Sequence, residues 1–202
     1  MSRNPKTIAF WTGRLPHWEV EDGRYFVTLH LAGAIPAVGR ARLAQIVDEM
    51  RNLPKAVEHE RFRLRRRIFA EMERWLDQCK WNPLLQATEL AKMVADAIDH
   101  RHRRGDWHVW EYVVMPTHVH VFCEAGPNGL KPALEDFKRW TGHEAARILG
   151  TEQERFWQDE WFDHWSRSDE EDERIAAYIR NNPVKAGLVQ DYKDWPHGSW
   201  SR

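Results

Sequence analysis

The chain has 202 residues, with 30 Lys and Arg against 31 Asp and Glu, for a formal net charge of −1. That length fits one domain with elaborations and can bury a core without disulfide staples. Two cysteines without CxxC spacing, Cys79 and Cys123, exclude a disulfide scaffold and a cysteine-based zinc finger. No apolar run is long enough to cross a membrane, and Met1 to Thr12 lacks the pattern of a secretory signal, so a reducing, cytoplasmic setting is expected.

The neutral total hides local asymmetry. Residues 51–75 hold eight basic and four acidic residues, with Arg65, Arg66 and Arg67 consecutive, and residues 152–173 hold ten acidic and two basic. A charge run is usually a solvated face, but basic clusters on a neutral chain also suit a local phosphate-binding surface. Twelve tryptophans spread from Trp11 to Trp200. They suit packing first, and stacking on unpaired bases second.

Residues 1–23, punctuated by Pro5, Gly13, Pro16 and Gly23, read as an irregular arm. Residues 24–32 alternate and are rich in β-formers, so a strand is expected. Helical spacing follows over 40–52, 56–79 and 86–100, with Phe62, Phe69, Met72 and Leu76 turned inward on the second. Residues 107–114 and 118–124 read as paired strands about the Met115-Pro116-Thr117 turn. A helix is expected over 130–149 and a short strand over 161–167. A last helix over 169–181 opens on an acidic first turn and is closed by Pro183 and Gly187. Without the extra helices the order is βαββαβ plus a terminal helix. That is a ferredoxin-like α+β fold, an antiparallel sheet with helices on one face and extra helices inserted after the first strand. One domain, 1–202, is expected, with an arm at 1–23 and a tail at 183–202.

The chemistry concentrates in two segments. His118 and His120 are i and i+2 on a strand, so both imidazoles point one way, about 6–7 Å apart at Cα, while Val119 and Val121 face the core. That geometry suits two ligands of one metal ion; the plain alternative is a pair of surface or hydrogen-bonded core histidines. Tyr178 and Asn182 are i and i+4 on a helix, so a phenol and a carboxamide share a face. Asn182 precedes a proline, which disfavours helical dihedrals there.

Together these segments resemble the REP-associated tyrosine transposases, relatives of the single-tyrosine HUH transposases. His118-Val-His120 is similar to the histidine–hydrophobe–histidine motif. Tyr178-Ile-Arg-Asn-Asn-Pro-Val-Lys-Ala-Gly-Leu-Val189 is similar to the family's tyrosine helix and its ending. Further matches are Gly13-Arg-Leu-Pro-His-Trp-Glu-Val20, Phe162-Asp-His-Trp-Ser-Arg167 and Asp194-Trp-Pro-His-Gly-Ser-Trp200. The resemblance runs over residues 10–200 and is vaguest over 40–106. Thr117 departs from the family's usual Asn.

The resemblance implies an RRM-like fold that cuts single-stranded DNA at hairpin repeats. Tyr178 is then the nucleophile, forming a 5′-phosphotyrosine bond, and His118, His120 and Asn182 hold a divalent cation, Mg²⁺ or Mn²⁺, with Zn²⁺ allowed by ligand type. Lys131, Lys138 and Arg139 are expected at DNA phosphates, with Arg14, His17 and Trp18 as base readers. Arg65–Arg67 are a further option for a hairpin stem. The implied setting is the bacterial cytoplasm at the nucleoid, with a monomer favoured over a dimer. Two alternatives stand beside this reading: a non-cleaving hairpin DNA-binding protein, and an unrelated metal hydrolase built on His118 and His120.

Overall fold

The structure, a computed structural model, describes residues 3, 5–13, 15–54, 58–151 and 155–201. The first elements are strands β1 (Thr7–Thr12) and β2 (Pro16–Val20), paired as an antiparallel hairpin in a small sheet of their own. The expected irregular arm is thus replaced by a hairpin over most of its length. Pro16 did not break it, because the first residue of an edge strand needs no ladder N–H. Strand β3 (Arg24–His30) follows, then helices α1 (Ala37–Arg51), α2 (Glu58–Leu76) and α3 (Thr88–Arg104). Strands β4 (Trp107–Val114) and β5 (His118–Ala125), helix α4 (Leu130–Leu149), strand β6 (Phe162–Trp165) and helix α5 (Asp169–Lys185) complete the order.

The main sheet is antiparallel in the order β4-β5-β3-β6. Taking β3, β4, β5 and β6 as its four strands, this is the ferredoxin-like arrangement, with α3 and α4 as its two crossovers. Strand parity separates the faces. Tyr25, Val27, Leu29, Val119, Val121 and Cys123 lie on one face and are buried. On that face Trp107 packs on Phe137 of α4, and its indole N–H donates to the Ile98 carbonyl of α3. Phe26, Thr28, His118, His120 and Phe122 turn to the other face. That second face is covered as well: Phe26 meets Phe69 of α2 and Tyr178 of α5.

Several local devices fix the register of α5. Ser168 caps its first turn by accepting from the Glu171 N–H, and four acidic residues there complement the helix dipole. The helix runs through Pro183 to Lys185, four residues beyond its expected end at 181. It closes on Gly187 at φ 71°, with Leu188 N–H on the Pro183 carbonyl and Gly187 N–H on the Val184 carbonyl. These two bonds make a Schellman end that tolerates the proline one turn early. Midway, Arg180 clamps Glu111 of β4 at a bulge. The tail runs along the outer edge of β4: Val114 N–H donates to the His197 carbonyl, and the Trp195 indole to the Val114 carbonyl. An open sheet edge is thereby covered.

The hairpin is pinned to the sheet by charge. His17, 2% exposed, bonds Asp163 of β6 through Nδ1, and the Trp161 indole donates to the same carboxylate at 3.0 Å. Burial pushes the His17 imidazole down, but Asp163, with Glu160 behind it, reverses this and raises it from 6.5 to about 9. A raised folded pKa stabilises fully below the unfolded value and fades as pH rises through the folded one. Wild type should therefore lose up to about 1.4 kcal/mol of stability per pH unit between pH 6.5 and 9, relative to His17→Gln. Urea midpoints of both proteins across that window check this; parallel curves would show that the pair is not ionised.

Candidate active site

The site begins at the β5 turn. His118 and His120 are fully buried and their rings lie 4.6 Å apart between centroids. Each is oriented through Nδ1 by a threonine: Thr117 Oγ1 is 3.0 Å from His118 Nδ1, and Thr28 Oγ1 is 2.9 Å from His120 Nδ1. Thr117 also donates its hydroxyl proton to the Leu76 carbonyl at 3.2 Å. Its oxygen is left to accept, so His118 carries its proton on Nδ1 and presents a bare Nε2 lone pair. Burial, then His120, hold His118 down at about 3, so the ring is neutral at ordinary pH.

Opposite the imidazoles stands Glu73, near the end of α2 and 4% exposed. Ligand atoms of Glu73, His118 and His120 all lie within 4.8 Å of one another. Glu73 Oε2 is 3.3 Å from His120 Nε2 and accepts a short hydrogen bond from the Tyr178 hydroxyl. Burial opposes the charge on this carboxylate. The imidazoles and the phenol outweigh that and hold it at about 2. Burial and the Glu73 charge act together on Tyr178 and push its phenol well above the ordinary value near 10.

Asn182 is 0% exposed, one turn beyond Tyr178 on α5. It keeps helical geometry ahead of Pro183, and its carboxamide lies against His118 and Tyr178. Neither of its side-chain polar atoms has an aligned hydrogen-bond partner, and the same holds for Glu73 Oε1, His118 Nε2 and His120 Nε2. Buried polar atoms are normally paired. A cluster of unpartnered acceptors from two imidazoles, a carboxylate and a carboxamide fits a divalent cation.

The structure therefore brings Tyr178, His118, His120 and Asn182 together and adds Glu73, which the sequence reading missed. A signal was present. Glu73 lies four residues after Phe69 and one after Met72, so a carboxylate stood on the face expected to turn inward. Cys123 is core, on the opposite sheet face. Tyr192 packs on Trp200 in the tail, away from this cluster.

The expected DNA contacts fare differently. His17 is corrected: buried on Asp163, it has no edge free for a base. Arg14 lies outside the described residues. Trp18 is partly buried between Phe10, 5.0 Å away, and the Arg65 guanidinium, 4.8 Å over its ring. Arg65 also donates to the Asp163 carbonyl, Arg67 pairs with Glu49, and Arg66 is exposed. Lys138 donates to the Asp159 carbonyl and sits 5.4 Å over Trp161. Lys131 and Arg139 pair with Glu135 and Asp136 on α4 itself.

No protein-family model matches the chain. Over 99 residues it is 28% identical to a protein of Haemophilus influenzae assigned to the REP-associated tyrosine transposases, a match covering 44% of this chain and 56% of that one. Over 113 residues it is 27% identical to a REP-associated tyrosine transposase of Escherichia coli K12, covering 55% of this chain and 65% of that one. Both matches span less than two thirds of the relative's length. The fold is similar, at a TM-score of 0.57, to the structure of a REP-associated tyrosine transposase bound to a REP hairpin. That likeness covers 94% of this chain and 83% of the other at 17% identity. The chain resembles the REP-associated tyrosine transposases in sequence and in fold. Among its described residues no helix is long and apolar enough to cross a membrane.

The threonine that fixes the His118 tautomer has a measurable effect. Groups that orient a histidine ligand typically contribute ten- to hundredfold in metal affinity. Thr117→Val should weaken Mn²⁺ binding about tenfold in calorimetric titration, and Glu73→Gln more. Equal affinity in all three proteins would remove this cluster as the metal site.

Proposed function

We propose that this chain is a metal-dependent, single-tyrosine endonuclease and strand transferase acting on single-stranded DNA at hairpin repeats. It would work in the cytoplasm at the nucleoid. The observation that carries the reading is the Tyr178 hydroxyl seated on Glu73 among His118, His120 and Asn182. The motif resemblance and the relatives' names support the substrate class.

Glu73, His118 and His120 would hold the cation, with the Asn182 carboxamide oxygen as a further donor. The mixed nitrogen and oxygen set suits Mn²⁺ better than Mg²⁺. The bound ion supplies positive charge that polarises the scissile phosphate and stabilises the departing 3′ oxygen. The chain supplies the nucleophile and its base. A phenol held above its ordinary pKa does not ionise alone, so its proton must leave as the bond forms. Glu73 Oε2 already accepts that proton's hydrogen bond, while Oε1 has no partner. Glu73 would thus serve both the cation and the phenol. Tyr178 Oη bonds to phosphorus, the P–O3′ bond breaks, the phenolic proton passes to Glu73, and the 3′ oxygen leaves as a hydroxyl after taking a proton from water. The phosphotyrosine ester keeps the energy of the broken bond, so a second 3′-OH can reverse the step and join strands.

The test is incubation with end-labelled hairpin oligonucleotides from repeats flanking the gene, with Mn²⁺, resolved on denaturing gels. A covalent adduct carrying the 3′ fragment is expected in wild type, absent in Tyr178→Phe, and slowed about 10²- to 10⁴-fold in Glu73→Gln. An adduct that persists in Tyr178→Phe overturns the nucleophile. Metal-dependent hydrolysis that persists there without an adduct favours a hydrolase. Binding without cleavage under Mn²⁺, and equally under Mg²⁺ or Zn²⁺, favours a non-cleaving hairpin binder.

A further inference from the structure

A cavity of about 630 Å³ opens beside Tyr178, between α2 and α5 and above β3 and β6. Its walls follow from helical spacing. Phe62, Arg65, Arg66, Phe69 and Ala70 recur at i, i+3, i+4, i+7 and i+8 on α2, and Glu73 is the next position on that face. On α5 the wall is Glu171, Arg174, Ile175 and Tyr178, again one face, with Asn182 the next turn on. The cleft and the metal-ligand cluster are therefore successive stretches of the same two helix faces.

The interior is aromatic, and the polar lining includes two exposed arginines with a Glu171 carboxylate already held by His164 and the Arg167 N–H. Phe26, Phe69 and Phe162 form its floor: Phe69 lies 5.0 Å from Phe162 and 5.5 Å from Phe26 between centroids, and both Phe26 and Phe69 lie 5.8 Å from Tyr178. Phe62 also lines the cleft, with the Arg167 guanidinium 4.9 Å over its ring. Arg66 and Arg174 are exposed on opposite walls, and neither has an ion-pair partner among the described residues. Flat rings inside and unpaired guanidinium groups at the rim match an unpaired nucleotide: a base that stacks on any π-face and phosphates that need cations. A purely apolar ligand would leave the two arginines idle, and a lone anion would leave the rings idle.

We propose that this cleft is the seat of the nucleotide adjoining the scissile phosphate, its base among Phe62 and Phe69 and its backbone between Arg66 and Arg174. The proposal rests on the endonuclease reading and deepens it. It assigns substrate positioning to α2, part of the stretch inserted after β3, where the family resemblance is vaguest. The recognition is by stacking, so it tolerates any base at that position.

The experiment measures binding of the same hairpin oligonucleotide to the full chain by fluorescence anisotropy, with 2-aminopurine walked through the single-stranded flank. One flank position should show emission quenched by stacking. Phe62→Leu keeps an apolar side chain but removes the ring. It should weaken binding roughly five- to 150-fold and abolish the quenching, with Phe62→Tyr restoring both. Arg66→Gln with Arg174→Gln, both on exposed positions, should lower the slope of log affinity against log salt by about 1.4, the loss of two single-strand phosphate contacts. If wild type binds DNA and these variants match it in affinity, quenching and salt slope, the cleft is not the nucleotide's seat and the endonuclease reading stands. If wild type binds no hairpin oligonucleotide under any salt or cation, the endonuclease reading fails and this inference with it.

Discussion

The buried carboxylate of Glu73 governs the geometry around it. An ionised carboxyl removed from water costs several kcal/mol unless its oxygens are met by donors or cations. Here one oxygen meets the Tyr178 hydroxyl and lies near His120, and the other has no partner. Helix α2 must therefore dock where β5 and α5 can answer it, because a slip of one turn would leave the charge against phenylalanines. The unanswered oxygen and the bare Nε2 of His118 make the cluster costly without a cation. They also make it ready to bind one, so binding and stability are coupled at this end of the sheet.

The sheet and the tail serve that docking from a distance. Alternation on β5 aims both imidazoles at one point, and threonines on β3 and in the β4–β5 turn hold the rings from behind. The bulge in β4 turns Glu111 to the same face, where Arg180 grips it and the Ser199 hydroxyl donates to its other oxygen. Arg180 is two residues from Tyr178 and two from Asn182. The tail residues that cover the β4 edge thus also steady the helix carrying Tyr178. The motif around residues 194–200, far from the chemistry in sequence, acts through that contact.

How much of this was legible in the sequence follows from the range of each interaction. His118 and His120 are two apart on one strand, and Tyr178 and Asn182 are one turn apart on one helix, so local periodicity was enough to pair them. The ferredoxin-like order was legible for the same reason, since each element carries its own pattern. Glu73 was not assigned, because its partners lie about 45 and 105 residues away and its role appears only when α2 lands on the sheet. His17 was misread for the opposite reason. A histidine beside Trp18 looks like an exposed reader until Asp163, 146 residues on, takes it into the interior. Pro16 and Pro183 each signalled a break, and each sits where the missing N–H is not needed or is offset by a capped end.

The two faces of the sheet divide the labour. Helices α3 and α4 with the Val119–Val121 side form a conventional apolar core, so β5 presents its histidines from a rigid floor. Among the described residues, the other face collects most of the buried polar atoms that lack aligned partners, and with them the Tyr178 phenol. Burial and the Glu73 charge keep that phenol protonated. On the proposed reading, reactivity would require two arrivals at once: positive charge at Glu73, His118 and His120, and a phosphate beside Tyr178. Each lowers the cost of negative charge on the phenolic oxygen, which neither the empty pocket nor a cation alone can do in full. On the proposed reading, this arrangement would confine cleavage to strands already seated.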